Sequence, residues 1–188
     1  KVIAGSATPD AGRMTVGGEE VPFGTPEQAR ARGIGIVYQE LSLVGPLSVA
    51  ENVFLGRWRG PRGIVDWKAT NDGAAEPLRR IGFDVDPKRL VRDLGMAERQ
   101  LVEIAKALSS EVRVLLLDEP TSALSDREAH RLFEIIRDLT RSGVAVVYVS
   151  HRLPEVLGIA RRVTVLRDGE KIETVSAAEV DEGKLART

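Results

Sequence analysis

The stretch "VLLLDEPTSAL", Val114 to Leu124, sets two adjacent carboxylates, Asp118 and Glu119, directly behind four aliphatic residues and ahead of a proline. An apolar run without alternation, bounded by a break, predicts a strand covered on both faces, as in a parallel sheet wrapped in helices. Ligands of such sheets gather at the carboxyl ends of the strands. Two neighbouring negative charges there are costly unless a cation or hydrogen-bond donors meet them. Mg²⁺, which keeps much of its water shell and binds through one or two carboxylates, is the usual answer. A solvated strand end that happens to be acidic is the alternative, and the pair alone leaves both open. Two more polar residues close apolar runs in the same way: Gln39 after "IGIVY" and His151 after "VVYVS". Taken singly, each reads as a surface glutamine or a structural histidine.

The elements that would position these residues follow from local signals. "GRMTVGGEEVPF" alternates around Gly17 and Gly18, which predicts an antiparallel hairpin. "TPEQARARG" offers Thr25 as N-cap, Pro26 at the first helical position and Gly33 past the end. "KVIAG" reads as the end of a helix closed by Gly5, and "IGIVYQ" as a buried strand ending at Gln39. Ser48 and Glu51 form a capping box in "SVAENVFLG", and Pro77 should kink or break the helical pattern "DWKATNDGAAEPLRRIG". "AERQLVEIAKALS" puts Leu101, Ile104, Ala105 and Leu108 on one helical face. A helix follows from Ser125, boxed by Glu128, then a second buried strand "GVAVVYVS" and a hairpin turning at Asp168 and Gly169. The fold class is α/β, a mostly parallel sheet core with an antiparallel β edge and a helical subdomain. The expected organisation is one domain over 1–188, with a β edge and strand at 1–44, the helical subdomain at 45–110 and a core at 111–188.

The 188 residues suffice for one domain with a real core. With 27 basic and 28 acidic side chains, a net charge of -1 gives no electrostatic case for nucleic acid as a partner. Zero cysteine removes disulfides and thiolate metal sites and suits a reducing compartment. Neither a membrane-spanning apolar segment nor a secretory signal pattern is present. His130 reads as a surface residue, and Trp58 and Trp67 as packing or interface residues.

The ordered series "IVYQE", "LGMAERQ", "LLLDEPTSALS" and "VYVSH" resembles the nucleotide-binding domain of an ATP-binding-cassette (ABC) transporter, a P-loop NTPase fold, from Lys1 to the last hairpin. "VYQELSLVGPLSVAENVFLGR" and "QLVEIAKALS" are similar to the first half of the tandem ATPase subunits of bacterial monosaccharide importers. The resemblance implies ATP and Mg²⁺ as cofactors. It implies that Asp118 holds Mg²⁺ through water, that Glu119 orients and deprotonates the attacking water, and that Gln39 touches metal and water. It makes His151 the switch histidine at the γ-phosphate and Ser122 to Ser125, with Leu124, the loop crossing the dimer interface. Phosphoryl transfer leaves a protein mainly positioning and charge stabilisation, which suits these roles.

Two departures from the family pattern stand out. The glycine-rich phosphate loop with its lysine and Ser/Thr, the Walker A segment, is missing from the sequence, and "KVIAGSATPDAG" aligns just after it. A chain cut short rather than a natural remnant is expected, because the rest of the catalytic set is intact, and the isolated chain should bind ATP poorly. The signature, LSGGQ in the family, is "LGMAE" here. Gly95 lacks the hydroxyl, Met96 and Ala97 add side chains, and Glu98 adds negative charge where the partner-bound triphosphate docks. The composite site completed by Gly95, Ala97 and Glu98 is expected to be weakened.

The resemblance thus implies an ATPase subunit of a bacterial importer for a simple sugar, peripheral on the cytoplasmic face of the cell membrane. Its partners would be a second ABC ATPase domain (tandem half or homodimer), transmembrane permease subunits and, indirectly, a periplasmic or extracellular sugar-binding protein. A catalytically incompetent binding or interface module without its own P-loop is the alternative. A soluble cassette of DNA repair or translation ranks last, since neither coiled-coil insertions nor basic surfaces occur.

Overall fold

The computed structural model describes residues 1–22, 24–58, 60, 64–181 and 183. It divides into two compact units, 1–147 and 148–188. Phe23, at the end of the first predicted hairpin, and residues 184–188 of the expected domain lie outside the described residues.

In the first unit, β1 (Met14–Val16) and β2 (Glu19–Val21) pair antiparallel. Gly17 and Gly18 both take positive φ, 63° and 87°, the geometry a two-residue hairpin turn needs. Helix α1 (Pro26–Ala31) starts as the sequence predicts: Thr25 and Gln28 cap one another reciprocally. The central sheet has the order β3 (Ile34–Val37), β4 (Val114–Asp118), β5 (Ala145–Val149), with β3 and β4 parallel. Gly35 is required by proximity, since a Cβ there would come within 3.2 Å of Val112 and 3.3 Å of the Ala107 carbonyl. The core lies between this sheet and the helices: Val37, Leu115 and Leu117 are buried with Ile104 of α4 (Met96–Ala107), Leu108 at its C-cap, and Leu132, Ile136 and Leu139 of α5 (Asp126–Arg141).

Between β3 and β4 the chain forms α2 (Val49–Val53), α3 (Trp67–Arg80), a 3₁₀ turn (Val91–Asp93) and α4, with α2, α3 and α4 packed on one another. The residues before α2 are zipped to those before the 3₁₀ turn: Val49 N–H donates to Arg89 O at 2.9 Å and Val91 N–H to Leu47 O at 3.0 Å. Asn52, fully buried, accepts from Val44 N–H at 2.7 Å and donates to the Val44 and Ser48 carbonyls at 3.0 and 2.9 Å.

Three expectations are corrected. Lys1 to Gly5 form a turn, not the end of a helix, although Gly5 has the positive φ of 71° expected of a terminator. Pro77 does not break α3, which runs on to Arg80. It sits in the last turn, where a missing N–H forfeits a single backbone bond, and its ring is buried beside Ala74 and Leu78. The strand from "GVAVVYVS" is not buried: Val147 and Val149 are 42% and 52% exposed. Among the described residues β5 stands at one end of the order β3, β4, β5.

The second unit holds α6 (Leu153–Ile159) and an antiparallel pair, β6 (Arg162–Arg167) and β7 (Glu170–Ser176). Asp168 and Gly169 turn it at φ 52° and 84°, as their sequence signal predicts. Val156 and Val163 centre a small core with Tyr148, Leu153 and Val175 packed around it. Tyr148 donates its hydroxyl to the buried Glu155 at 2.9 Å, and Arg152 pairs with the same carboxylate at 2.5 Å.

Candidate functional site

Strand β4 delivers Asp118 as its last residue, with an exposed side chain. The backbone then turns sharply, because Glu119 adopts φ 45°, one of two positive-φ positions other than glycine among the described residues. A left-handed conformation at a residue with a Cβ costs about 1 to 2 kcal/mol, and such strain gathers at functional sites. The turn closes with Ser122 N–H donating to Glu119 O at 3.2 Å and Leu124 N–H to Thr121 O at 3.0 Å. Ser125 and Glu128 then cap α5; the Glu128 carboxylate accepts from Ser125 N–H at 2.8 Å and from its hydroxyl at 2.6 Å. Those two bonds hold the Glu128 carboxyl below its ordinary range.

The structure brings Gln39 to this turn. β3 ends at Val37, two residues short of Gln39, and the carboxamide Nε2 donates to Glu119 Oε2 at 3.4 Å across 80 positions of sequence. Gln39 also lines a cleft of about 410 Å³ with Met96, Arg99, Gln100, Ser122 and Leu124. The side chains of Asp118 and Glu119 stand outside that lining, while Pro120 and Ser122 of the same turn belong to it. Ser122 and Leu124 therefore share a surface with the start of α4.

At that start, Gly95 is the N-cap of α4 and contributes no side-chain cap. Glu98 reaches back instead: its Oε2 accepts from Gly95 N–H at 2.8 Å, while Oε1 pairs with Arg89 at 3.1 Å. Arg89 is itself anchored on Asp93 O at 2.7 Å. The Gly95 N–H, a donor that an approaching anion would use, is thus occupied by the helix's own carboxylate. Arg99 is held toward the 3₁₀ turn, its guanidinium donating to Val91 O at 3.2 Å and to Arg92 O at 2.9 Å. Ala97 and Glu98 line a second cleft of about 390 Å³ with Leu101, Glu128 and Arg131.

His151 lies in the second unit, exposed, two residues beyond the end of β5. His130 is exposed, as expected, with its ring edge-on to Phe133 at 6.2 Å. Trp58 and Trp67 form a tilted pair at 6.3 Å, both partly exposed. Sequence reasoning missed a cluster beside Gln39. Glu103 is buried on α4, accepts from Ser42 N–H at 2.5 Å and Ser42 Oγ at 2.9 Å, and lies 3.9 Å from Lys106 Nζ. Lys106 donates to Ser42 Oγ at 2.7 Å and Ser42 O at 3.1 Å. Burial pushes the Lys106 ammonium below its ordinary pKa, with Glu103 opposing the shift. The α4 pattern gave little signal, since Glu103 and Lys106 lie off the apolar positions 101, 104, 105 and 108 and read as a solvated pair three apart.

The sequence profile of the family described as ABC transporter matches residues 1–122, more than half of the chain. The chain belongs to the ABC transporter family. A relative from Rubrobacter xylanophilus, described as "Ribose import ATP-binding protein RbsA 3", is 50% identical over 187 residues, covering 100% of this chain and 38% of its own. A second, from Agrobacterium fabrum, described as "Putative ribose/galactose/methyl galactoside import ATP-binding protein 1", is 48% identical over 180 residues, covering 96% of this chain and 36% of its own. The chain thus spans well under half the length of these ABC relatives. Among solved structures, the ADP conformation of MJ1267, an ATP-binding cassette of an ABC transporter, superposes with a TM-score of 0.84 at 22% identity, covering 98% of this chain and 77% of that one. At that identity the likeness establishes the ABC cassette fold: a P-loop NTPase-type α/β architecture with a parallel sheet, antiparallel strands and helical parts.

Proposed function

We propose that this chain is part of the ATP-binding and ATP-hydrolysing subunit of a bacterial ABC importer for a simple sugar. The observation that carries the reading is the Gln39 carboxamide 3.4 Å from Glu119 on the strained turn directly after Asp118. The printed names of the relatives, import ATP-binding proteins for ribose or galactose, supply the substrate class. Glu119 is the carboxylate that orients and deprotonates the attacking water, Gln39 its hydrogen-bonding partner, and His151 the side chain that contacts the γ-phosphate. Gly95, Ala97 and Glu98 face nucleotide bound to an opposing cassette, and Ser122 and Leu124 lie on the loop toward that cassette.

The donors fit Mg²⁺ rather than a metal caged by protein: among the described residues no group of three His, Cys, Asp or Glu side chains converges. Asp118 and Gln39 would hold the ion through its water shell, leaving further positions for phosphate oxygens, whose charge it neutralises when bound. No described helix is long and apolar enough to cross a membrane, so permease subunits would form the path for the sugar. The working assembly would then be two cassettes peripheral to the cytoplasmic face of the membrane, two permease subunits and an external sugar-binding protein.

The test is made on the natural full-length chain reconstituted with its permease partners. Glu119→Gln should lower ATP turnover at least about 100-fold while nucleotide binding survives, since it removes a group needed only in the transition state. Turnover at the wild-type rate in Glu119→Gln would overturn the reading.

A further inference from the structure

Glu103 poses a physical question. It is 5% exposed on a helix whose neighbouring positions are aliphatic, and taking a carboxylate out of water is costly unless it is paired and hydrogen-bonded. Replacing a buried ion pair by apolar side chains of similar size is often neutral or stabilising, so stability alone does not account for Glu103 and Lys106. What the pair does is local. Between them they engage all three polar groups of Ser42: the N–H and hydroxyl by Glu103 at 2.5 and 2.9 Å, the carbonyl and hydroxyl by Lys106 at 3.1 and 2.7 Å. Ser42 is an exposed loop residue three positions after Gln39, and two residues further on, at Val44, begins the stretch that buried Asn52 holds to α2. The loop that carries Gln39 is therefore fastened to α4, the helix whose first turn is the signature.

We infer that Glu103 and Lys106 are positioning residues for Gln39. By fixing Ser42 on α4 they set the carboxamide against Glu119, and they make the placement of the water-orienting pair follow the placement of the signature helix. The inference rests on the ATPase reading above.

The experiment uses the full-length chain with its permease partners and four forms: wild type, Glu103→Leu/Lys106→Met, Gln39→Ala and the combination. Thermal melting and ATP binding are recorded with turnover. The double apolar replacement removes both charges together, so its melting temperature should stay within a few degrees of wild type. Its kcat should fall about tenfold with KM for ATP within about twofold, and on the Gln39→Ala background it should cost less than about twofold more, because both changes act through one carboxamide. Multiplicative losses, a loss confined to KM, or a Gln39→Ala form with wild-type kcat would each overturn the inference. If the double replacement does not fold, Ser42→Ala at its exposed position takes its place in the same cycle with the same criteria. A wild type without turnover would overturn the ATPase reading and this inference together; a wild type that turns over with an additive cycle overturns the inference alone.

Discussion

Gly95 concentrates the chemistry of the signature in one residue. Its φ of -67° lies in ordinary space, and a Cβ there would meet nothing closer than Glu98 Oε2 at 3.7 Å. The backbone has therefore kept the N-cap geometry that a serine would use, and only the hydroxyl is gone. Gly95→Ser should add the missing half of the capping box, a bond from the hydroxyl oxygen to the backbone of the third helical residue. The gain is a few tenths of a kcal/mol, since glycine is already a tolerable N-cap. Urea denaturation of the chain checks it: an unchanged or lower midpoint would mean that Glu98 and Arg89 already hold this turn in a form that excludes the hydroxyl. Glu119 is the opposite case, a residue whose backbone is strained and whose side chain explains why. Its type was legible from sequence next to Asp118, but its φ of 45° was not, because nothing in "DEPT" demands a left-handed residue before proline.

At the scale of elements, the most testable feature is how the segment before α2 is held. Asn52 is fully buried and uses both ends of its carboxamide on the backbone of Val44 and Ser48. Asn52→Ala would remove the side-chain bonds to the Val44 N–H and to the Val44 and Ser48 carbonyls and open a small void at a fully buried position, which should cost about 2 to 4 kcal/mol. A melting temperature equal to wild type would show that water replaces the carboxamide there. The cap of α5 gives a pH-dependent case. Glu128 is held below its ordinary pKa by the Ser125 hydroxyl and N–H, so its folded value lies below its unfolded one. Its contribution is complete above the unfolded value and is lost as pH falls through the folded value. Glu128→Gln should therefore flatten the fall of stability in acid while leaving its slope near neutrality unchanged; an identical acid slope in both proteins would remove the cap from the account. The caps at Thr25, Ser48 and Ser125 were legible because each is written within four residues. The Glu103 and Ser42 contact was not, since its partners lie 61 positions apart and each alone looks like a solvated residue.

For the whole molecule, the proposed function implies inequality between the two ATP sites of an assembled pair of cassettes. A signature acts on nucleotide held by the opposing cassette, so the defects of Gly95 to Glu98 fall on the partner's nucleotide and not on that beside Glu119. There the missing serine hydroxyl forfeits a hydrogen bond to a charged group, about 1.5 to 3 kcal/mol. The Gly95 N–H is engaged by Glu98, and that carboxylate, though paired with Arg89, still leaves negative charge at the helix N-terminus. At about 1.4 kcal/mol per decade, the hydrogen bond alone is worth roughly ten- to a hundredfold in transition-state stabilisation. Glu119→Gln in this cassette should therefore abolish most transport, whereas removing the corresponding carboxylate of the opposing cassette should cost far less. Restoring the signature in this chain with Gly95→Ser and Glu98→Gln should narrow the gap, because it rebuilds the hydroxyl and removes the charge at the one site where both are wanting. The measurement is sugar uptake by vesicles carrying the complete importer, with each carboxylate variant tested in both signature backgrounds. Equal losses from the two variants in the natural background would show that the helix dipole of α4 suffices and that the sites are equivalent despite their sequences.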